Sequence, residues 1–429
     1  MSSDDLGQFF GMFPPASFAN GKCHLIGAFA NVGMIETSDG LVLFDASHEK
    51  FGEKVFNEIR AISKKPVKHL VLSHGHFDHC FGFDPFIKEI EEKHWDPPEI
   101  IAHWNVPARF EKYRMLDKYH EWINAMQFSA VIFNPKSTVV SAKNAPKPTR
   151  LIRDGEPYSF SSGEFTFVLH PGWGETDDHL WMHVPEAKAI FAGDFFLSSF
   201  PNLGNPFKVQ RYPKHWAIVL RQMMEKEPEF LIPGHGKLIA GTRAVQEALS
   251  ITADALDFVH DGVVKRLNEG KWFETIYHEV LAEYPERFKK SPWLRPIYGC
   301  VEYAIHCTYR LYHGWYDSGN PTDLYPSRSE EVSREIVALL GDGGAEKLLS
   351  RAMALAEEGN FQLAMHLVDQ LIYGLDQDDA KNNDVRERAI DLKIRVVRKR
   401  AVNEPSMISR NIYANYVKNL TSSLRNGKK

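Results

Sequence analysis

The chain has 429 residues, is 43% hydrophobic, 12% aromatic and 25% charged, and carries a formal net charge of −5. That is an ordinary globular make-up with room for roughly two to four domains, and it offers no basic block for nucleic acid beyond the terminal stretch Arg425 to Lys429. No run approaches ~20 apolar residues, Met1 to Asp5 is polar and acidic, and Cys23, Cys80, Cys300 and Cys307 lack CxxC spacing, so neither a membrane span nor a secretory signal is expected and reduced thiols in a cytoplasmic protein are.

In chain order, Leu41 to Phe44 reads as a strand ending in Asp45, and Glu53 to Ile62 has helical apolar spacing. His69 to Leu72 is a second strand running into Ser73-His74. Ile100 to Ala102, Phe165 to Leu169, Ala189 to Ala192 and Phe230 to Ile232 are further strands. Trp104 to Phe128 is amphipathic and aromatic and is expected to form helices over a sheet edge, while Asn144 to Lys147 reads as loop. Strands alternating with helices predict an α/β layered domain.

Thr242 to Leu267 predicts one long helix, and Trp272 to Trp315 is mostly helical with breaks near Pro285 and Pro292. Turn residues at Asp317 to Pro321 and Pro326 to Ser329 mark a domain boundary. Beyond it, Glu330 to Leu340, Gly344 to Glu358, Phe361 to Leu375 and Asp384 to Val402 have helical patterns. The stripes Leu348, Ala352, Leu355 and Leu363, Leu367, Leu371 predict helix-on-helix packing, with too few copies for a solenoid.

The strongest chemical signal is His74-Gly75-His76-Phe77-Asp78-His79, placed where a buried strand ends. Imidazole and carboxylate together suit Zn²⁺, Fe or Mn. In an extended turn His74 and His76 point to one side, and Asp78 and His79 turn toward a second position, so the spacing suggests two adjacent metals. Three later loops each follow a predicted strand and offer one ligand: Glu175 after Pro171-Gly172, Asp194 after Gly193, and His235 in Pro233-Gly234-His235-Gly236. In open α/β sheets such loops gather at one edge. His170 and His179 are alternative ligands in the first loop, and Trp173 is expected to line or flank the pocket. His103, His120, His215 and His313 have no partner pattern and are expected on the surface or in the core.

The order HxHxDH, PG, GD, PGHG over roughly residues 20–240 resembles the metallo-β-lactamase superfamily. Trp173 stands where that superfamily usually has a His after Pro-Gly. The alkylsulfatase-type hydrolases depart in a similar way, with a Glu as ligand in this loop. Leu311 to Pro321 resembles an alkylsulfatase segment as well, and the helices after it resemble the alkylsulfatase dimerisation domain.

The resemblance implies a four-layer αββα metallo-β-lactamase fold followed by an all-α helical domain. It implies a catalytic domain over 1–260, a helical extension completing the pocket over 261–325, and a dimerisation domain over 326–429. His74, His76, Glu175 and Asp194 would hold one metal; Asp78, His79, Asp194 and His235 would hold the other. The expected cofactors are two divalent ions, zinc by expectation, with Asp78 as a catalytic proton acceptor. The expected function is hydrolysis of an ester-like bond, such as an alkyl sulfate, by a metal-bound hydroxide in a homodimer acting on a small molecule, with no nucleic-acid or membrane partner. The alternatives are an iron-dependent redox member, or a hydrolase of a lactone or phosphodiester.

By the same resemblance Asn202, Arg211 and Tyr298 would touch substrate. Here the sequence departs from the sulfatases. Pro201 stands where those enzymes have a His, and their Arg is not in place, with Lys208 or Arg211 as candidate, non-equivalent substitutes. Glu302 would repel a sulfate if it faced the pocket.

Overall fold

The computed structural model describes residues 7–128, 145–376 and 380–426. They form two compact units, one from Met1–Ile123 with Lys136–Asp317 and one from Asn124–Pro135 with Ser318–Lys429.

The first unit holds two sheets. One has the order β1 (Ala16–Phe18), β2 (Cys23–Ile26), β3 (Val32–Glu36), β4 (Leu41–Phe44), β5 (Val67–Val71), β6 (Glu99–His103), β7 (Arg150–Ile152). Strands β1 to β4 pair antiparallel, and β4 to β7 pair parallel through crossovers. The other runs β8 (Tyr158–Ser162), β9 (Phe165–Gly172), β10 (His179–Val184), β11 (Ala189–Leu197), β12 (Phe230–His235), β13 (Ile239–Ala240). Only β11 and β12 are parallel in this sheet, joined through the helix Pro213–Met224.

Three apolar cores define four layers. Between the sheets, Leu25, Val42, Phe44 and Val71 meet Phe167, Leu180, Met182 and Phe191. Outside the first sheet, Val55 and Ile59 of the helix Gly52–Ile62 and Phe110 of the helix Val106–Met115 cover Leu43, Leu70 and Ala102. Outside the second, Trp216 and Leu220 with Val245, Leu249 and Leu256 of the helix Thr242–Asn268 cover Trp181, Ile190 and Ala192. β4 and β11 are buried along their whole length, which is why Leu41–Phe44 and Ala189–Ala192 read as unbroken apolar runs. The fold is the expected αββα arrangement followed by helices.

Several boundaries differ from the sequence reading. β9 extends through Pro171-Gly172, and β11 through Gly193-Asp194 to Leu197, because cross-strand pairing carries them past the apolar run. The division at 260/261 falls inside the helix Thr242–Asn268. Short strands β1, β7, β8 and β13 lie at or beside sheet edges with weak patterning, and the half-exposed β8 alternates too briefly to stand out. Asn144 lies outside the described residues; 145–148 are irregular.

The second unit is helical: Ser329–Leu339, Gly344–Glu357, Phe361–Gly374, Ala380–Asn403 and Met407–Asn426. Its core joins Leu349, Ala352, Leu355, Val368, Leu371, Ala389 and Val396. The expected stripe through Leu363 is corrected here. Leu363 is 44% exposed, and the buried face of its helix runs Ala364, Val368, Leu371, one step around. No described helix is long and apolar enough to cross a membrane. All four cysteines are buried and free of disulfides.

A pH effect on folding arises just after β4. His48 is buried, and its Nδ1 accepts the Lys50 backbone N–H at 3.0 Å as the cap of the short helix Glu49–Phe51. Burial pushes its imidazolium down to about 4, against the pull of Asp78, whereas an unfolded histidine titrates near ~6.5. The native state therefore binds fewer protons between those values, so stability is full above the unfolded value and falls as pH drops toward about 4. His48→Asn keeps a cap acceptor and is expected to remove up to about 3 kcal/mol of that acid destabilisation. Urea midpoints of both proteins across this range test it; parallel pH profiles would refute it.

Candidate metal centre

The site forms where β5, β11 and β12 end side by side. Leu72 and Ser73 leave β5, and His74 to His79 turn sharply, with His76 extended (φ −69°, ψ 142°) before the one-turn helix Phe77–Cys80. The loop between β9 and β10 brings Glu175, β11 carries Asp194 within its length, and β12 ends on His235.

All seven side chains converge, in two groups. His74, His76, Glu175 and Asp194 form one, and Asp78, His79 and His235 the other, with one donor atom from each residue lying within 4.8 Å of the rest of its group. His76 Nδ1 is 3.4 Å and His74 Nε2 3.7 Å from Glu175 Oε2. His235 Nε2 is 3.5 Å from Asp78 Oδ2. Asp194 Oδ1 links the groups, at 3.1 Å from His79 Nε2 and 3.6 Å from His235 Nε2.

The donor set fits a pair of cations. His79 Nε2, Glu175 Oε2 and Asp194 Oδ1 are buried and make no hydrogen bond, and buried polar atoms without partners are costly. Imidazole nitrogen with carboxylate oxygen suits borderline divalent ions. The protonation balance agrees. Burial pushes Asp194 up to about 6, aided by Glu175 and opposed by His79 and His235. Burial disfavours charge on His79, yet Asp194 and Asp45 hold its imidazolium well above the ordinary range. Both groups call for positive charge between them. Burial likewise opposes charge on Glu175, but Arg211 and His76 keep its carboxyl well below the usual range.

Two glycines explain why the GD and PGHG patterns take no larger residue. A Cβ on Gly234 would sit 2.0 Å from Asp194 Oδ1. Gly193 has φ +53°, and a Cβ there would meet Ser73 Cβ at 2.6 Å.

The residues that hold the ligands in place were not legible as such. Asp45 ends β4 with φ +66°. Its carboxylate lies 2.7 Å from His79 Nδ1 and accepts the Ser73 backbone N–H at 2.7 Å and hydroxyl at 2.8 Å; Ser73 Oγ then meets His74 Nδ1 at 2.9 Å. Asn31 donates to the carbonyls of Pro233 (2.9 Å) and Gly236 (2.7 Å), clamping the loop that carries His235. Asp178 accepts the Gly75 N–H at 3.1 Å and pairs with Arg109 at 2.7 Å. Their only sequence signal is a polar residue at the end of an apolar strand or loop. Such partners fix ring orientation and ligand basicity. Asp45→Ala is therefore expected to weaken metal affinity about 10–100-fold. Competition against a chromophoric chelator measures it, and unchanged affinity would refute the role.

Among the alternatives, His170 stacks on Trp181 at 3.9 Å, outside both groups. His179 is buried beside His74 but stacks on Phe195 at 4.0 Å and contributes no atom to either group. Trp173 donates to Asp154 at 3.2 Å and packs on Tyr212. His103 is buried, with Nε2 3.2 Å from Asp154. Cys80 is a buried filler whose thiol donates to the His74 carbonyl at 3.0 Å.

The expected substrate residues divide. Asn202 donates to Glu175 Oε1 at 2.7 Å, and Arg211 holds both Glu175 Oε1 (2.8 Å) and its carbonyl (2.7 Å). Both are committed to Glu175. Tyr298 lies against Phe9, which stacks on His235 at 5.1 Å. Glu302 acts on Tyr284, raising its hydroxyl after burial does, and lines none of the cavities described here.

Family models match in two stretches: the metallo-beta-lactamase superfamily over residues 25–235 and alkyl sulfatase dimerisation over residues 274–423. A linear primary-alkylsulfatase of a Pseudomonas species is 25% identical over 83% of this chain and 69% of its own. An alkyl/aryl-sulfatase of Saccharomyces cerevisiae is 24% identical over 84% of this chain and 57% of its own. The solved stereoselective inverting sec-alkylsulfatase Pisa1 of a Pseudomonas species shares the fold, with a TM-score of 0.77 at 21% identity, over 93% of this chain and 64% of that one. The chain thus spans between about half and two thirds of the length of these relatives. With both matched stretches, and with the histidine cluster, Glu175, Asp194 and His235 in the family's order, the chain belongs to the metallo-beta-lactamase superfamily of metal-dependent hydrolases, as an alkylsulfatase-like member with an alkylsulfatase-type dimerisation region.

Proposed function

We propose that the protein hydrolyses a sulfate ester of a small molecule with two divalent ions, zinc by preference. The observation that carries this reading is the convergence of seven side chains from four separate segments of the chain into two adjoining groups that share Asp194. His74, His76, Glu175 and Asp194 would hold one ion, and Asp78, His79, His235 and Asp194 the other. Bound there, two such ions acidify a water toward neutrality and polarise the ester oxygen.

The chain's own residues supply the rest. Burial works against charge on Asp78, but His235 and His79 keep its carboxyl well below the usual range, so it stays ionised and is the group placed to accept a proton at Oδ1 or Oδ2. Arg211 keeps Glu175 charged, and Asn202 and Arg211 together orient its carboxylate. Phe9 and Phe29 pack against His235, and Tyr298 packs behind Phe9. A homodimer, supported by the dimerisation match, and a cytoplasmic location belong to the same proposal.

Protein purified without added metal, then analysed for metal and assayed on alkyl sulfates, aryl sulfates, lactones and phosphodiesters, tests the reading. Two divalent ions per chain and metal-dependent sulfate release are expected. Turnover of lactone or phosphodiester alone, or redox-active iron with no hydrolysis, would overturn it.

A further inference from the structure

A cavity of about 340 Å³ opens beside His76 and Glu175. Its walls come from the helices Val106–Met115 and Asp117–Phe128 and from the segment 207–212. Four cationic side chains line it, Arg109, Lys112, Lys208 and Arg211. Two are spoken for: Arg109 by Asp177 and Asp178, each at 2.7 Å, and Arg211 by Glu175. Lys112 and Lys208 make no ion pair or side-chain hydrogen bond among the described residues. Between these walls lies His120, 9% exposed, with both ring nitrogens buried and without a hydrogen bond.

We infer that Lys112, Lys208 and His120 bind a second acidic group of the substrate, so that the substrate class is a sulfate ester carrying a further carboxylate or equivalent anion on an aromatic or apolar body. This rests on the hydrolase reading above for the reacting end only. An aliphatic tail in this cavity would strip water from two ammonium groups, leave the buried His120 nitrogens unpartnered and return no counter-charge, a costly exchange. An anion there would satisfy all three, with charge-assisted bonds from the lysines. The remaining lining mixes the rings of Tyr113, Tyr119, Phe207 and Tyr212 with the aliphatic side chains of Leu116, Ile123 and Val209, and Trp122 packs edge-on against Phe207 at 5.5 Å, so it suits an apolar body with a flat ring among its members.

The electrostatics agree with this geometry. Burial lowers Lys208 to about 8, with Arg211 and Lys112 adding repulsion and Asp78 and Glu175 opposing it. Burial lowers His120 to about 4, with Lys208, Lys112 and His76 next, so it is a neutral ring able to donate from one nitrogen. Burial and Arg109 lower Lys112 in the same direction.

Calorimetric titration of the metal-loaded protein with sulfonates, which keep the anionic head but lack the cleavable ester oxygen, separates this inference from the hydrolase reading. Para-sulfobenzoate is expected to bind about tenfold or more tighter than benzenesulfonate. Lys112→Gln and Lys208→Gln should each bring that ratio to within about threefold of one, as loss of a single charged hydrogen bond would. Octanesulfonate should bind more weakly than para-sulfobenzoate. The inference is overturned if octanesulfonate binds tightest, if the two aromatic probes bind alike, or if neither lysine variant changes the ratio. Loss of sulfate-ester turnover in the assay panel, with the binding preference retained, would instead count against the hydrolase reading alone.

Discussion

Asp78→Ala is expected to lower sulfate-ester turnover by about a thousandfold or more, roughly 4 kcal/mol of barrier, and to reduce bound metal toward one ion per chain. Asp78 Oδ2 lies 3.5 Å from His235 Nε2 and 3.9 Å from His79 Nε2. Asp78 and Asp194 are the carboxylates that face the Nε2 atoms of both imidazoles, Asp45 lying on the Nδ1 side of His79. Without it, two neutral rings must share the charge of one bridging carboxylate, and the second ion loses most of its Coulombic attraction. Asp78→Asn keeps the shape and removes the charge, so it should lose metal similarly and separate charge from packing. Metal content by elemental analysis and turnover at saturating metal are the measurements. Two ions retained with turnover within tenfold of the parent would remove Asp78 from the mechanism.

Arg109→Met is expected to destabilise the folded chain by about 3–5 kcal/mol, the cost of leaving a buried charge unpaired. Asp178 is fully buried, and Arg109 Nε reaches its Oδ2 at 2.7 Å. Burial opposes the charge, yet Arg109 and then Thr176 bring the carboxyl down to about 2. A carboxyl depressed in the fold contributes stability above its unfolded value, near ~3.9, and that contribution is lost as pH falls through about 2. In the variant burial is opposed only by the weaker contacts from Thr176, His76 and Gly75, and the Asp178 carboxyl shifts upward. The variant therefore improves relative to the parent as pH falls, and the gap is widest near neutrality. The same carboxylate accepts the Gly75 N–H, so the loop between His74 and His76 should loosen and metal affinity should drop with stability. Urea unfolding at neutral and acidic pH tests this; a loss under 1 kcal/mol at neutral pH would show that Asp178 is not held by Arg109.

How much of the site could be read in the chain follows from locality. His74, His76, Asp78 and His79 lie within one turn of sequence, and Asp194 and His235 sit beside glycines that close approach requires. Glu175 shares its loop region with the alternatives His170 and His179, and only the folded arrangement selects it, by bringing its carboxylate to His74 and His76. The partners that hold these ligands were not legible, because each is distant in sequence: Asp45 reaches His79, Asn31 reaches Gly236, Arg109 reaches Asp178. For the same reason the contacts of Asn202 and Arg211 with Glu175 are absent from the sequence reading, which offers both residues as substrate contacts.

The sequence alone determined the strands buried on both faces, the long helix over Thr242–Asn268, and the ligand types with their order, since apolar runs, helical spacing and clustered histidines are local properties. Tertiary structure decided the short strands such as β8, the true buried stripe through Ala364 and Val368, and the character of the cavity. The reason is physical. Whether a cation is free or neutralised depends on which carboxylate is brought within about 4 Å of it, and nothing in the sequence around Lys112, His120 or Lys208 records that distance.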